Sequence, residues 1–273
     1  MNVLKKVKGI LSGDAPSFGL PLPEALPGTE QAAVYKRILE NPGRLALANS
    51  IAGEFARLAC LELDCEVSGS KRAEFLNSEL KKFLSRMREI TETCAGLGGV
   101  VLKPYVRNKK IRISCVTPDR FVPTDIGDDG KLRGGVFVET ILRDGRCYRK
   151  LESHRFSGDE YVIENRCFVS DRPGGWGKEI PIDAVEEWKD LSKRVAISGL
   201  SAPLFVYFKM PTETRELPMG EAVFARAIGL IEDAEAQYAR LLWEFESGER
   251  ALYVDDAAIR RSKDGKPELP DKR

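Results

Sequence analysis

The chain is poor in the residues that do most protein chemistry. It has one histidine, His154, among 273 residues. Its six cysteines are Cys60, Cys65, Cys94, Cys115, Cys147 and Cys167, and none of them forms a CxxC pair. A zinc site would have to collect thiolates from distant segments, whereas structural zinc favours ligands at short local spacings. Scattered thiols in apolar contexts fit inert packing in a reducing compartment. No metal and no cofactor is expected. Also missing is any apolar run of the roughly 20 residues that a membrane span needs. The opening MNVLKKVKGILSG sets Val3, Leu4, Val7, Ile10 and Leu11 beside three lysines, without the continuous apolar core or cleavage site of a signal peptide. It reads as a short terminal helix, with a surface anchor or partner helix as the functional alternative. Charge of one sign is not in excess either. Lys and Arg number 43 against 42 Asp and Glu, so the chain lacks the strongly basic balance of a dedicated nucleic-acid binder.

Motifs that carry chemistry are equally scarce. Gly96-Leu97-Gly98-Gly99 lies after a predicted helix and before a predicted strand, the reverse of a phosphate loop, and no Lys-Ser or Lys-Thr follows. It reads as a helix C-cap and tight turn. Asp125-Ile126-Gly127-Asp128-Asp129-Gly130 starts like a calcium loop, but Gly127 and Val136 occupy ligand positions, so a polar turn is expected. His154 stands in a strand-like run two residues from Glu152, on the same face. A triad would need a nucleophile from elsewhere, and no GxSxG elbow exists. A cross-strand or surface polar role is expected for His154. Acid pairs such as Glu186-Glu187 and Asp255-Asp256, and basic pairs such as Lys81-Lys82, Lys109-Lys110 and Arg260-Arg261, read as solvated surface.

What the chain does have is pattern. Residues 12–29 are rich in Pro and Gly and read as an irregular arm. A helix is predicted over 30–40. Asn41-Pro42 then caps a second helix with Leu45, Ala48, Ile51, Ala52, Phe55, Leu58 and Ala59 on its buried stripe. Cys60–Val67 alternates like a strand. A third helix is predicted over about Lys71–Cys94, with Phe75, Leu76, Leu80, Phe83, Leu84, Met87 and Ile90 on one face. Strands follow: Val100–Val106 and Lys109–Val116 around Arg107-Asn108, Gly135–Leu142 and Arg146–Phe156 around Asp144-Gly145, then Tyr161–Val169. Pro173-Gly174-Gly175-Trp176-Gly177 reads as a loop tip. Another strand ends near Pro211. A long helix is predicted from about Pro218 to Ser247, roughly 45 Å at 1.5 Å per residue. Its apolar positions are Val223, Ala227, Leu230, Ile231, Ala234, Tyr238, Leu241, Leu242 and Phe245. Gly248 is placed to stop it, and Ala251–Val254 reads as a further strand. Helices first, antiparallel strands next and one long helix last predict an α+β fold.

The order of these stretches resembles the portal proteins of tailed double-stranded DNA bacteriophages, in particular the siphophage and prophage group of Gram-positive bacteria. The stretches that carry the resemblance are AGLGGVVLKPYV (95–106), KIRISCVTPDRFVPTD (110–125), GGVFVET (134–140), KLESHRF (150–156), APLFVYFKMP (202–211) and PMGEAVFARAIGLIEDAEAQYARLLWEFESGERALYV (218–254). The last is the most diagnostic. Their shared order spans roughly 160 residues.

The resemblance implies a structural subunit rather than an enzyme. Such subunits form a dodecameric ring at the portal vertex of the capsid, in the virion, after synthesis in the host cytoplasm. Double-stranded DNA passes through the ring, driven by a terminase, and head-completion, scaffolding and capsid proteins contact it. The implied organisation is an N-terminal arm over 1–29, a wing-like α+β domain over 30–212, a stem-like helix over 213–248 and the start of a clip over 249–273. Family members continue into a second stem helix, a channel loop and a crown, so the chain reads as truncated at its C-terminus. Leu230, Tyr238, Leu241 and Phe245 are the expected subunit-interface residues, exposed where a partner helix is missing. A non-assembling prophage remnant, or a protein-binding adaptor with the wing fold, is the alternative reading. A hydrolase using His154 is the third.

Overall fold

The helices come first: α1 (Pro27–Glu40), α2 (Leu47–Ala59), α3 (Ala73–Leu84) and α4 (Met87–Leu97). They precede the strands β1 (Gly99–Arg107), β2 (Lys110–Val116), β3 (Phe121–Ile126), β4 (Leu132–Arg143), β5 (Arg146–Ser157), β6 (Glu160–Ser170), β7 (Lys178–Ile180), β8 (Arg194–Ser198) and β9 (Val206–Lys209). A last helix, α5, covers Ile228–Gly248. The computed structural model describes residues 27–41, 43, 45–107, 110–172, 175–212 and 219–248. The fold is α+β, as predicted. The predicted residues 1–26, Pro42, Asn108, Lys109, Pro173, Gly174, Pro218 and the strand Ala251–Val254 lie outside the described ones.

Strands β2-β1-β9 form one antiparallel sheet and β3-β4-β5-β6-β7 a second, with β8 also pairing β6. β1 sits between two layers, and its side chains alternate between them. Val100 and Leu102 face the helices, where they meet Ala52, Ile90, Cys94 and Ala95. Val101 faces the larger sheet, where it meets Phe121, Phe137 and Phe205. Val100 and Val101 are both fully buried, each stabilising the fold by about 1.5–3 kcal/mol. Asp144 and Gly145, at φ 51 and 73, make the tight turn between β4 and β5. Positive φ at both central residues is what a two-residue hairpin loop demands.

Several boundaries differ from those predicted. The first helix starts at Pro27, inside the stretch read as an arm. The second starts at Leu47 after Ala46, not at the Asn41-Pro42 signal; a turn from Gly43 to Ala46 precedes it, and Glu235 of α5 accepts the Leu45 N–H at 3.2 Å. The third predicted helix is two, broken at Ser85-Arg86. The Ser85 hydroxyl donates to the Lys82 carbonyl at 2.8 Å, a local bond that competes with helix propagation. Cys60–Val67 is not a strand. The Asn77 side chain bonds both the N–H and the carbonyl of Val67, each at 2.7 Å, where a neighbouring strand would have done so. Trp176 is not at an exposed tip: it is buried with its ring centroid 5.5 Å from that of Phe168. Cys65 is exposed, unlike buried Cys94, Cys147 and Cys167.

The long helix begins at Ile228, not near Pro218. Its 21 residues span about 31 Å at 1.5 Å per residue. Residues 219–227 are needed elsewhere. Met219, Ala222 and Phe224 fill the core in a non-helical path. The Val223 N–H donates to the Ala95 carbonyl at 2.8 Å, satisfying one of the last carbonyls of α4. Gly98, at φ 83, caps α4, and its Cα lies against the backbone of Gly220. A side chain on either glycine would collide with the other's carbonyl oxygen. The Gly220 N–H donates to the Tyr207 hydroxyl at 3.3 Å, and the Met210 N–H to the Gly98 carbonyl at 3.0 Å. The root of α5 is therefore fastened main chain to main chain.

Candidate functional site

Three places merit a functional reading: the surroundings of His154, the outer face of α5, and a groove beside α3.

His154 is on β5, as predicted, but it is not a surface residue: it is 2% exposed. Register explains this. β5 is a central strand, and residues 150, 152 and 154 share one face of it: Glu152 and His154 turn toward Lys103 and Phe205, and Lys150 lies over Trp188. The Tyr161 hydroxyl accepts the Leu204 N–H at 3.0 Å and lies 2.8 Å from His154 Nδ1. With the tyrosine proton directed to Nδ1, Nε2 carries its own proton to Glu152 Oε1 at 2.8 Å. Both ring nitrogens are thus engaged. Lys103 reaches across from β1 to the same Glu152 oxygen at 2.6 Å, and Lys150 stands 3.5 Å from the other. Lys150 also pairs with Glu139 at 2.9 Å. Burial pushes the Glu152 carboxyl up, but the His154 hydrogen bond and the two lysines outweigh it and hold the group well below the usual carboxylate range. Burial raises the Tyr161 hydroxyl to about 12, against the lowering effect of the Leu204 N–H. The arrangement ties the smaller sheet to the larger by charge. The groups on the two ring nitrogens of His154 are Tyr161 and Glu152, neither of them a serine or a cysteine.

Among the described residues no group of three or more His, Cys, Asp and Glu side chains is placed to hold a metal ion. Burial raises the Cys94 thiol to about 12, with nearby Cys115 adding to the shift. No helix among the described residues is long and apolar enough to cross a membrane.

α5 carries the four residues expected at an interface. Leu230 is 74% exposed and Phe245 is 66% exposed; Leu241 is exposed as well. Tyr238 differs: it is half-buried. The reason is helical phase. Buried Ile231 and half-buried Tyr238 and Leu242 define the line turned to the body, and Leu230 and Leu241 fall one position to its side. The periodicity could not separate these two lines, because both lie within one apolar stripe. Trp243, 67% exposed, was missed because it is out of phase with that stripe. Its size and position near the helix end were the only signals. Acidic residues dominate the rest of the helix: Glu232, Asp233, Glu235, Glu244 and Glu246 against Arg240 alone.

The groove lies between α3 and the far half of the β1–β2 hairpin and measures about 460 Å³. Leu76, Leu80 and Phe83 form one wall, Ile111 and Ile113 the other. Lys82, Arg86, Lys110 and Arg112 surround it, with Glu79 as the one acid. Its apolar helical wall was legible in the period of α3, but the facing strand was not, since only the tertiary fold sets them together. A second hollow, of about 680 Å³, is lined by β6, β7 and the segment after them. Two of its cations are already paired, Arg166 with Glu179 at 2.6 Å and Lys189 with Glu186 at 2.5 Å.

Comparison with protein-family models and with curated proteins finds no match to the chain.

Proposed function

We propose that the chain is a structural subunit, or the N-terminal portion of one, of a phage portal ring through which DNA enters and leaves a capsid. The observation that carries the reading is α5. Its root is locked to the core by the Gly98–Gly220 crossing, yet Leu230, Leu241, Trp243 and Phe245 face solvent. Monomeric proteins seldom leave a contiguous apolar patch such as Leu241 and Phe245 beside each other uncovered without a partner for it. A subunit that packs this helix against neighbours accounts for both facts. The order of elements supports the same reading, because helices and strands precede one long helix, as the wing precedes the stem in the family the chain resembles. A net charge of +1 suits a wall past which DNA slides, since phosphate binding grows with the cations presented. On this proposal the ring sits at the portal vertex of the virion. Its partners are terminase, the head-completion, scaffolding and capsid proteins, and transiting duplex DNA.

Light scattering behind size-exclusion chromatography, with negative-stain microscopy of the same fractions, tests the proposal. A closed ring weighs several hundred kilodaltons, against 30.4 kDa for one copy. Annular particles of that mass are the expected result. A mass that stays at one copy at every concentration overturns the ring and leaves a protein-binding adaptor with this fold.

A further inference from the structure

The α3–β2 groove and the outer face of α5 both expose apolar side chains beside charges of opposite sign, and they lie on different elements of one chain. On α5, Leu241 and Phe245 are one turn apart and exposed, so they form a single apolar ridge. Glu244, three residues on from Leu241, stands beside that ridge, and no basic residue occurs in the last turn. The groove is the converse: an apolar floor of Leu76, Leu80, Phe83, Ile111 and Ile113, with Lys110 and Arg112 on one side and, on the other, Lys82 paired with Glu79 at 2.5 Å and Arg86 paired with Glu89 at 3.3 Å. Lys110, Ile111 and Arg112 are exposed on β2, which is the edge strand of its sheet. An acidic apolar ridge fits an apolar groove with a basic rim, and opposed charges favour the matched register over like-charged alternatives.

We propose that α5 of one copy seats Leu241 and Phe245 in the α3–β2 groove of the next copy. The contact is head-to-tail, because the ridge and the groove are two different surfaces. Such a contact leaves one of each open at the ends, so it propagates until a ring closes. The inference rests on the ring proposal and names the surfaces through which copies join.

The test replaces Phe245 with the photo-crosslinker p-benzoylphenylalanine in the full chain, mixed with isotopically labelled unsubstituted chain. Inter-copy cross-links onto residues 76–83 and 110–113 are expected. Cross-links onto residues 230–245 of the other copy would mean helix-on-helix pairing and would overturn the groove while leaving the ring. Absence of inter-copy cross-links in a chain that assembles by light scattering has the same consequence. A chain that never assembles loses both proposals, by mass alone.

A second arm uses exposed positions that leave the fold intact. Phe245→Glu removes the ridge; Lys110→Glu with Arg112→Glu reverses the rim. Each variant alone should lose at least tenfold in self-association. Mixed together they retain one intact ridge and one intact groove, and should form a heterodimer and nothing larger. Unchanged assembly of the rim variant would overturn the inference.

Discussion

Glu152 is where the two sheets meet in charge. It accepts from Lys103 of the smaller sheet and from His154 of its own strand, and lies beside Lys150. Removing one member of a buried pair leaves the others uncompensated, which costs about 3–5 kcal/mol. Glu152→Ala should therefore lower the unfolding free energy by an amount in that range, as read from denaturant melts. The pH dependence has a definite sign. The folded carboxyl titrates below its ordinary value of 4.5, so its contribution to stability is complete above pH 4.5 and declines as the pH falls toward the folded value. Glu152→Gln should flatten the acid limb of the stability curve. A wild-type slope in that variant would show that other carboxylates set the limb. The sequence placed Glu152 and His154 on one face of a strand, because side chains there alternate with period two. It held no sign of Lys103, which comes from a different sheet 49 residues away.

Two glycines decide how α5 leaves the body. Gly98 occupies the left-handed region at φ 83, and Gly220 passes against it with no room for a side chain on either. Gly98→Ala meets both obstacles. The left-handed conformation alone costs roughly 1–2 kcal/mol for a residue with a Cβ, and the collision with the Gly220 carbonyl adds to it. A drop in melting temperature with loss of hydrogen-exchange protection at Met210 and Val223 is expected; protection unchanged at those two amides would refute the locked root. At this scale the hairpins were legible, since Asp144-Gly145 names its own turn type. So was the C-cap at Gly98. The start of α5 was not. The apolar period continues unbroken from Val223 to Phe245, but Met219, Ala222 and Phe224 are drawn into the core in extended and tight-turn conformations that local propensity does not foretell. Likewise Cys60–Val67 has a strand's alternation and no strand to pair with, and a side-chain amide from Asn77 takes the ladder's place.

The whole molecule presents a basic-rimmed groove and an acidic ridge while its net charge is only +1. Such an arrangement makes association sensitive to salt. The screening length falls from about 10 Å at 0.1 M to about 3 Å at 1 M. Self-association through the groove should weaken across that range, as read by analytical ultracentrifugation. An assembly that tightens with salt would be held by apolar contact alone, through α5 against α5. No such long-range match can be read from the linear sequence, because the groove joins residues 76–83 with 110–113 only after α3 and the hairpin have packed.

The main-chain crossing at the root of α5 also separates two things that drift together in most proteins. Where a helix is aimed by its side chains, changing its surface changes its direction. Here the root is fixed by Gly98, Gly220 and the Val223–Ala95 bond, none of which lies on the helix itself, and the helix adds only its inner face, Ile231 and Glu235. The exposed positions of α5 are free to diverge in sequence, altering which surface they recognise, while the helix keeps pointing the same way.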